Sequence, residues 1–241
     1  MNRRKPYPDT ENQRPLMRAF DVAGALGLLV LTAPLLAVAA VLIRLSSPGP
    51  ALFRQTRVGA GGREFELWKL RTMAVDAERE TGPVLATQHD PRITAVGRWL
   101  RGSRFDEVPQ LINVLTGEMS LVGPRPERPH FVRFFSREIR GYERRLLVKP
   151  GITGLAQVCG SYWMSAERKL HFDLAYIAQR SLGMDLRILL RTIVVVLRPG
   201  HAERQSREGF PEEPAFSAAA RIMPAASDLP EDRAENNNAC E

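Results

Sequence analysis

The residues best equipped for chemistry are Asp106-Glu107-Val108-Pro109-Gln110, followed shortly by Met119-Ser120-Leu121-Val122-Gly123-Pro124-Arg125-Pro126. Neighbouring carboxylates on a helix point about 100° apart, so they do not readily share one proton and take different roles. A helix N-terminus favours the ionised acid, which suits a nucleophile or a metal ligand. Aspartate attacks phosphorus in phosphoenzymes. Such transfer needs cations on the phosphoryl oxygens, and the arginine fork supplies them. Arg101 and Arg125 are the nearest arginines to the acid pair that fit this role. With only four histidines in the chain, a hard oxygen-liganded ion, Mg²⁺ above all, fits better than a histidine-bound metal. The bland reading is also open. An Asp-Glu pair at a helix start is commonly a cap, and glycines and prolines around an arginine commonly make a tight turn.

Asp106 is expected at a helix N-cap, with Glu107 in the first turn and Pro109 where a missing N–H matters little. Leu111, Ile112, Val114 and Leu115 supply the buried side, and Gly117 ends the helix. Upstream, Ile93–Arg101 reads as a helix interrupted by Gly102. Residues 51–58 and 64–70 flank Gly59-Ala60-Gly61-Gly62 and alternate as a β-hairpin. Lys69 and Arg71 stand at its exit, where a solvated strand end is the default. Residues 74–92 read as a short helix and a loop. Pro129–Arg145 is basic and aromatic. Residues 185–198 form a basic amphipathic helix, suited either to a membrane interface or to packing on the core.

An uncharged apolar run, Val22–Ile43, precedes all of this. A straight helix of that length spans about 33 Å, enough for a hydrocarbon core of about 30 Å. Its length and the preceding Asp21 argue against a signal peptide. Pro34 lies near the middle and is expected to kink it. Both flanks are basic: Arg3, Arg4, Lys5, Arg14 and Arg18 before, Arg44, Arg54, Arg57 and Arg63 after. The preference of cations for the cytoplasmic side therefore applies to both ends. A helix that enters, bends at Pro34 and returns satisfies it; a tilted transmembrane helix with a tolerated proline is the alternative. A buried core helix fits less well, because the run has no polar stripe.

The 241 residues carry a net charge of +7. The tail from His201 holds nine acidic residues against four arginines, which leaves +12 on residues 1–200. So basic a body calls for an anionic partner: nucleic acid, an anionic membrane face or a phosphorylated substrate. No nucleic-acid recognition motif accompanies the charge, and nucleic acid is set aside. Cys159 and Cys240 form no CxxC pair, consistent with a reducing compartment. The tail lacks periodicity and reads as disordered.

Taken together, these strings resemble the bacterial sugar transferases, the small monotopic polyprenyl-phosphate glycosyl-1-phosphate transferases that initiate exopolysaccharide assembly. The likeness runs over about residues 15–200. It is carried by Arg18-Ala19-Phe20-Asp21, Gly49-Pro50-Ala51-Leu52-Phe53-Arg54-Gln55 and Trp68-Lys69-Leu70-Arg71-Thr72-Met73. Asp90-Pro91-Arg92-Ile93-Thr94, the two motifs above, Lys149 through Val158, and Asp173-Leu174-Ala175-Tyr176 complete it.

The resemblance implies transfer of a sugar-1-phosphate from a UDP-sugar to undecaprenyl phosphate, with release of UMP and with Mg²⁺. It implies Asp106 as nucleophile and metal ligand, and Glu107 as an assistant in proton handling or positioning. It implies Lys69, Arg71, Arg101 and Arg125 near the phosphates, and Asp173 as a donor-site candidate; Arg168, or Lys169 beside it, is a donor-site candidate by its proximity to Ser161 alone. The expected fold is α/β, mostly α with a short β-hairpin. Its parts would be a flexible basic N-terminus (1–16), a re-entrant membrane helix kinked at Pro34 (17–45), a cytoplasmic transferase domain (46–200) with amphipathic interfacial helices, and a disordered acidic tail (201–241). The expected location is the cytoplasmic face of the bacterial inner membrane. The large members' additional N-terminal membrane helices are missing, which implies the minimal form. A homodimer and the identity of the sugar stay open, glucose or galactose being the family-level guess. Two positions depart from the pattern. Ser161 stands where the family usually has an arginine, which puts donor binding in question and motivates, as the alternative, a catalytically weak homologue acting as a membrane scaffold or regulator. Arg104 stands where a small hydroxyl residue is common.

Overall fold

Alternation builds the first sheet. In the computed structural model, which describes residues 14–75, 77, 90–160 and 164–197, β1 (Leu52–Val58) pairs antiparallel with β2 (Glu64–Leu70), from Leu52 opposite Leu70 to Val58 opposite Glu64. Phe65 and Leu67 are buried while Glu64 and Glu66 are exposed, the two-residue period of a half-buried strand. Gly61 and Gly62 hold φ of 65° and 79° in the connecting turn, a region open to glycine at little cost.

From the hairpin the chain passes to α2 (Ala95–Gly102), capped by the Thr94 hydroxyl, which accepts from the Gly97 N–H. A Cβ on Gly97 would stand 2.0 Å from the Thr72 carbonyl oxygen, so glycine is what lets α2 lie against the β2 exit. Then come a 3-10 turn (Phe105–Glu107), α3 (Gln110–Thr116) and β3 (Ser120–Val122). Gly117 ends α3 at φ 87° as expected. After α4 (Pro129–Glu138) and a 3-10 segment (Tyr142–Leu147), β4 (Gly151–Thr153) pairs parallel with β3. This second sheet was not anticipated: three-residue strands, almost wholly buried, have no period to read. The helices α5 (Leu155–Cys159), α6 (Ala166–Gln179) and α7 (Leu182–Leu197) close the body. Among the described residues the architecture is thus mostly helical, with two small two-stranded sheets.

One apolar cluster joins Leu67, Val114, Met119, Leu121, Leu155, Tyr176 and Ile188. A smaller one joins Ala39, Ile43, Leu70 and Leu100. Each buried Leu, Val, Ile or Met side chain among them contributes roughly 1.5–3 kcal/mol of transfer free energy.

The N-terminal helix α1 (Arg14–Ser46) is attached to this body at both ends. Near its start, Arg18 donates to the Val114 and Leu115 carbonyls, capping α3 (2.5 and 2.8 Å). Asp21 accepts from the Ser120 hydroxyl and the Leu121 N–H, both at 2.9 Å, and Ala25 joins the main core. Near its end, Ala39 and Ile43 pack on Leu70 and Leu100. Between these anchors Leu26, Leu28, Val30, Leu31 and Leu35 are exposed. By length and composition α1 is the one helix among the described residues that meets the requirements of a membrane span. It is helical without interruption through Pro34, so the expected break appears as no gap in the helix. The proline removes one donor without ending the element.

Ser161, Arg198, the N-terminal residues before Arg14, the acidic tail and most of the expected helix-and-loop region at 78–89 lie outside the described residues.

Candidate active site

Asp106 and Glu107 are buried together in the 3-10 turn that links α2 to α3. The turn is launched by Arg104 at φ 59°, the one non-glycine residue in the left-handed region among those described. Backbone strain of this kind costs on the order of 1 kcal/mol and collects at functional sites. The expected role of Asp106 as helix N-cap is corrected here. Pro109 occupies the cap of α3, which begins at Gln110, and no side chain caps it. The turn closes earlier through the Glu107 N–H to the Arg104 carbonyl and the Val108 N–H to the Phe105 carbonyl. Neighbouring side-chain cations, rather than a helix terminus, therefore set the charge of the pair.

Those cations come from four elements. Arg125, on the Gly/Pro loop after β3, grips Glu107 with both terminal nitrogens, Nη2 to Oε1 at 2.5 Å and Nη1 to Oε2 at 3.3 Å. Lys69, at the end of β2, reaches the same Oε1 with Nζ at 3.2 Å. Arg101, in the last turn of α2, donates Nε to the Thr72 hydroxyl at 2.8 Å and bears on Asp106 by its charge. Arg57 on β1 stands behind, donating to the Pro126 carbonyl at 3.0 Å; burial lowers its pKa to about 10.

The two carboxylates differ sharply. Burial alone would push Glu107 up, but the charges of Arg125 and Lys69 outweigh it and hold Glu107 well below the usual carboxylate range. Glu107 is thus held as an anion, a poor proton donor, and it ties Lys69 to Arg125. Asp106 is pushed up by burial and by the Glu107 charge, against Lys69, Arg101 and Arg125. No hydrogen bond or ion pair from a described residue engages its carboxyl. It is a carboxylate kept unoccupied within a ring of cations.

Lys69, Arg101 and Arg125 are therefore brought together around the acid pair. Arg71 is not. Its buried guanidinium turns to the far end of α1, donating to the Ser47 carbonyl at 2.8 Å, the Ser47 hydroxyl at 3.0 Å and the Pro48 carbonyl at 2.5 Å. It caps α1 rather than lining the carboxylate pocket. Asp173 lies one layer behind the site. It pairs with buried Arg145 at 2.8 Å, and Arg145 in turn donates to the Arg125 carbonyl at 2.9 Å and touches the Tyr142 hydroxyl. Burial raises Asp173 to about 6 despite Arg145. Arg168 is exposed on the first turn of α6, where its backbone N–H donates to the Ser165 cap. Arg57 and Arg145 were missed as site residues, since each is remote in sequence from the acid pair and no motif marks it.

Among the described residues no group of three or more His, Cys, Asp or Glu side chains gathers as a ready metal cage. Mg²⁺ commonly needs only one or two carboxylates, with water and substrate phosphates completing the shell. The partner-free Asp106 fits that requirement; Glu107, already held by two cations, does not.

The profile of the family described as bacterial sugar transferase matches residues 12–199. Over 192 residues the chain is 47% identical to a UDP-glucose:undecaprenyl-phosphate glucose-1-phosphate transferase of Caulobacter vibrioides, covering 77% of this chain and 71% of that protein. It is 44% identical over 185 residues to a UDP-N-acetylgalactosamine-undecaprenyl-phosphate N-acetylgalactosaminephosphotransferase of Aeromonas hydrophila, covering 76% of this chain but only 44% of the relative. It is 39% identical over 196 residues to exopolysaccharide production protein PSS of Rhizobium leguminosarum bv. phaseoli, covering 77% and 96%. The carboxylate turn, its ring of cations and the matched span lead to one assignment: this chain belongs to the bacterial sugar transferase family.

Proposed function

We propose that this protein transfers a sugar-1-phosphate from a UDP-sugar to undecaprenyl phosphate at a membrane surface, as an opening step of exopolysaccharide or related glycan synthesis. The observation that carries this reading is the partner-free Asp106 carboxylate facing Lys69, Arg101 and Arg125. A nucleophile for phosphorus needs an unencumbered anion, and the departing phosphate needs fixed cations.

The chemistry proceeds by two displacements at one phosphorus. An Asp106 oxygen attacks the phosphorus that bears the sugar. The bond to the oxygen shared with the nucleoside phosphate breaks, and UMP leaves with that oxygen. An oxygen of undecaprenyl phosphate then attacks the same phosphorus and expels the Asp106 carboxylate, giving the lipid diphosphate sugar. Lys69, Arg101 and Arg125 neutralise the phosphoryl oxygens. Glu107 holds Lys69 and Arg125 in place, and the Asp173–Arg145 pair supports the Arg125 backbone from behind. Asp106 would hold Mg²⁺, which supplies charge neutralisation on the diphosphate when bound.

Attachment of both ends of α1 to one body supports a helix that enters the bilayer and returns to the same face. The basic flanks support the cytoplasmic side of the inner membrane. Single cysteines at positions 14 and 47, in a chain lacking the native two, should react only with reagents admitted to the cytoplasm; periplasmic labelling of either would establish a span. For the activity, membranes with wild-type chain should form lipid-linked sugar and UMP from a suitable UDP-sugar, and those with Asp106→Asn should form none. A panel of UDP-sugars would name the donor, for which the relatives carry both glucose and N-acetylgalactosamine in their names.

A further inference from the structure

Away from the carboxylate turn, a second group of cations meets where the N-terminal part of α1 joins the body. The Arg18 Nη2 and the Lys149 Nζ each lie 3.6 Å from the point a Cβ would occupy on Gly117, at the C-terminal end of α3. Arg180, just beyond α6, adds its charge to the same neighbourhood. Like charges repel in partly buried surroundings, so such a gathering requires compensation.

The compensation on hand is incomplete. Arg18 is occupied by the Val114 and Leu115 carbonyls. Asp21 is the acid whose charge bears on Lys149, and its carboxyl is already engaged by Ser120 and Leu121. Asp185 offsets Arg180 but is bound by the Tyr176 hydroxyl at 2.8 Å. Among the described residues no hydrogen bond or ion pair reaches the Lys149 ammonium, and the Arg180 Nε is buried without a partner. Burial and its two cationic neighbours depress the Lys149 pKa, so an arriving anion would strengthen its charged form.

This group is separate from the catalytic one. The principal charges on Asp106 come from Glu107, Lys69, Arg101 and Arg125, and those on Lys149 from Arg18, Asp21 and Arg180; the sets share no member. Its position also indicates the ligand. Arg18 precedes Leu26, the first exposed leucine of the apolar stretch, by eight residues, or about 12 Å along a helix. If α1 enters the bilayer there, these cations stand at headgroup depth beside exposed apolar surface.

We propose that Arg18, Lys149 and Arg180 form a second anion site that takes the phosphate of an anionic phospholipid headgroup. The inference rests on α1 entering the membrane. Basic groups between membrane elements on the cytoplasmic side bind such headgroups, at about 1 kcal/mol per cation. The site would fix where α1 enters and so the height of the carboxylate turn above the lipid.

The test compares retention of phosphatidylglycerol and phosphatidylcholine by the purified full chain from mixed micelles, read by native mass spectrometry, with flotation on vesicles of each lipid. Wild-type chain should retain phosphatidylglycerol preferentially. Lys149→Gln should lower that preference about fivefold, Lys149→Arg should restore it, and Arg133→Gln on exposed α4 should leave it unchanged. Should Lys149→Gln misfold, Arg180→Gln carries the same expectation. Equal preference in wild type and in both neutral variants overturns the site. Binding of inorganic phosphate alone, sensitive to Lys149→Gln while lipid retention is not, overturns the headgroup assignment. Failure to float with either vesicle refutes the membrane reading of α1 and takes this inference with it, an outcome distinct from flotation without phosphatidylglycerol preference.

Discussion

Glu107 and Arg125 meet fork to fork, at 2.5 and 3.3 Å, and by doing so they leave the adjacent Asp106 carboxylate without a partner. The pair of acids is thus divided by geometry into a brace and a reagent. The first consequence concerns the brace. Arg125→Ala leaves buried Glu107 with only Lys69; since the Arg125 side chain is about one-third exposed and Lys69 remains, the cost falls below the roughly 3–5 kcal/mol of breaking a fully buried pair. Both stability and transfer should fall. Arg125→Lys should recover stability in part but not the two-pronged grip, so it should remain well below wild type in UMP release. Full activity in Arg125→Lys would show that the fork geometry is dispensable.

Arg71 offers a contrast. Because its guanidinium caps the end of α1 rather than facing Asp106, Arg71→Met should lower the thermal midpoint by removing bonds to the Ser47 and Pro48 carbonyls, a loss of about 1–3 kcal/mol. Folded protein that remains should keep a near-wild-type KM for the UDP-sugar. A large rise in KM with an unchanged midpoint would instead put Arg71 at the phosphates.

The buried Asp173–Arg145 pair should act through Arg125. Arg145→Met with Asp173 intact leaves a buried acid unpaired and should destabilise the chain strongly, whereas the double change Arg145→Met with Asp173→Leu should recover much of the loss. Transfer should stay low in the double variant, since the Arg125 carbonyl has lost its donor. Thermal midpoints and UMP release measured on all three variants decide the matter.

Asp185 supplies a pH prediction. Burial raises its pKa from 3.8 to about 6, even though the Tyr176 hydroxyl stabilises the anion. A folded pKa above the unfolded one means that the native state binds the proton more tightly. Stability therefore declines as pH rises from about 4 to 6 and is level above, a difference of about 3 kcal/mol for this group. Asp185→Asn keeps an acceptor for Tyr176 and removes the charge. It should be more stable than wild type at pH 8, with the two converging toward pH 4. Denaturation midpoints at both pH values test it; an equal difference at each would contradict the assignment.

How much of this was legible depended on the range of the signal. The hairpin could be read because Phe65 and Leu67 alternate with Glu64 and Glu66, and the end of α3 because Gly117 takes a conformation that suits glycine. The acid pair and Arg125 could be read from their motifs. The parallel pairing of β3 with β4 could not, because three buried residues carry no period. Nor could the divergence of Lys69 and Arg71. They are two residues apart at one strand end, yet one faces Glu107 and the other α1, a choice made by tertiary partners. The N-cap expected of Asp106 failed because a 3-10 turn closes before α3 begins.

Under the proposed mechanism Asp106 becomes covalently linked to the transferred phosphosugar. Purified chain should be mixed with UDP-sugar labelled at the sugar-bearing phosphate, with Mg²⁺ and without lipid acceptor, and the protein then quenched and mapped. Label should appear on the peptide containing Asp106, with one UMP released per labelled chain, and both should be lost in Asp106→Asn. UMP release that strictly requires undecaprenyl phosphate, with no label on the protein at any time, would mean direct transfer between the two substrates and rule out the covalent step.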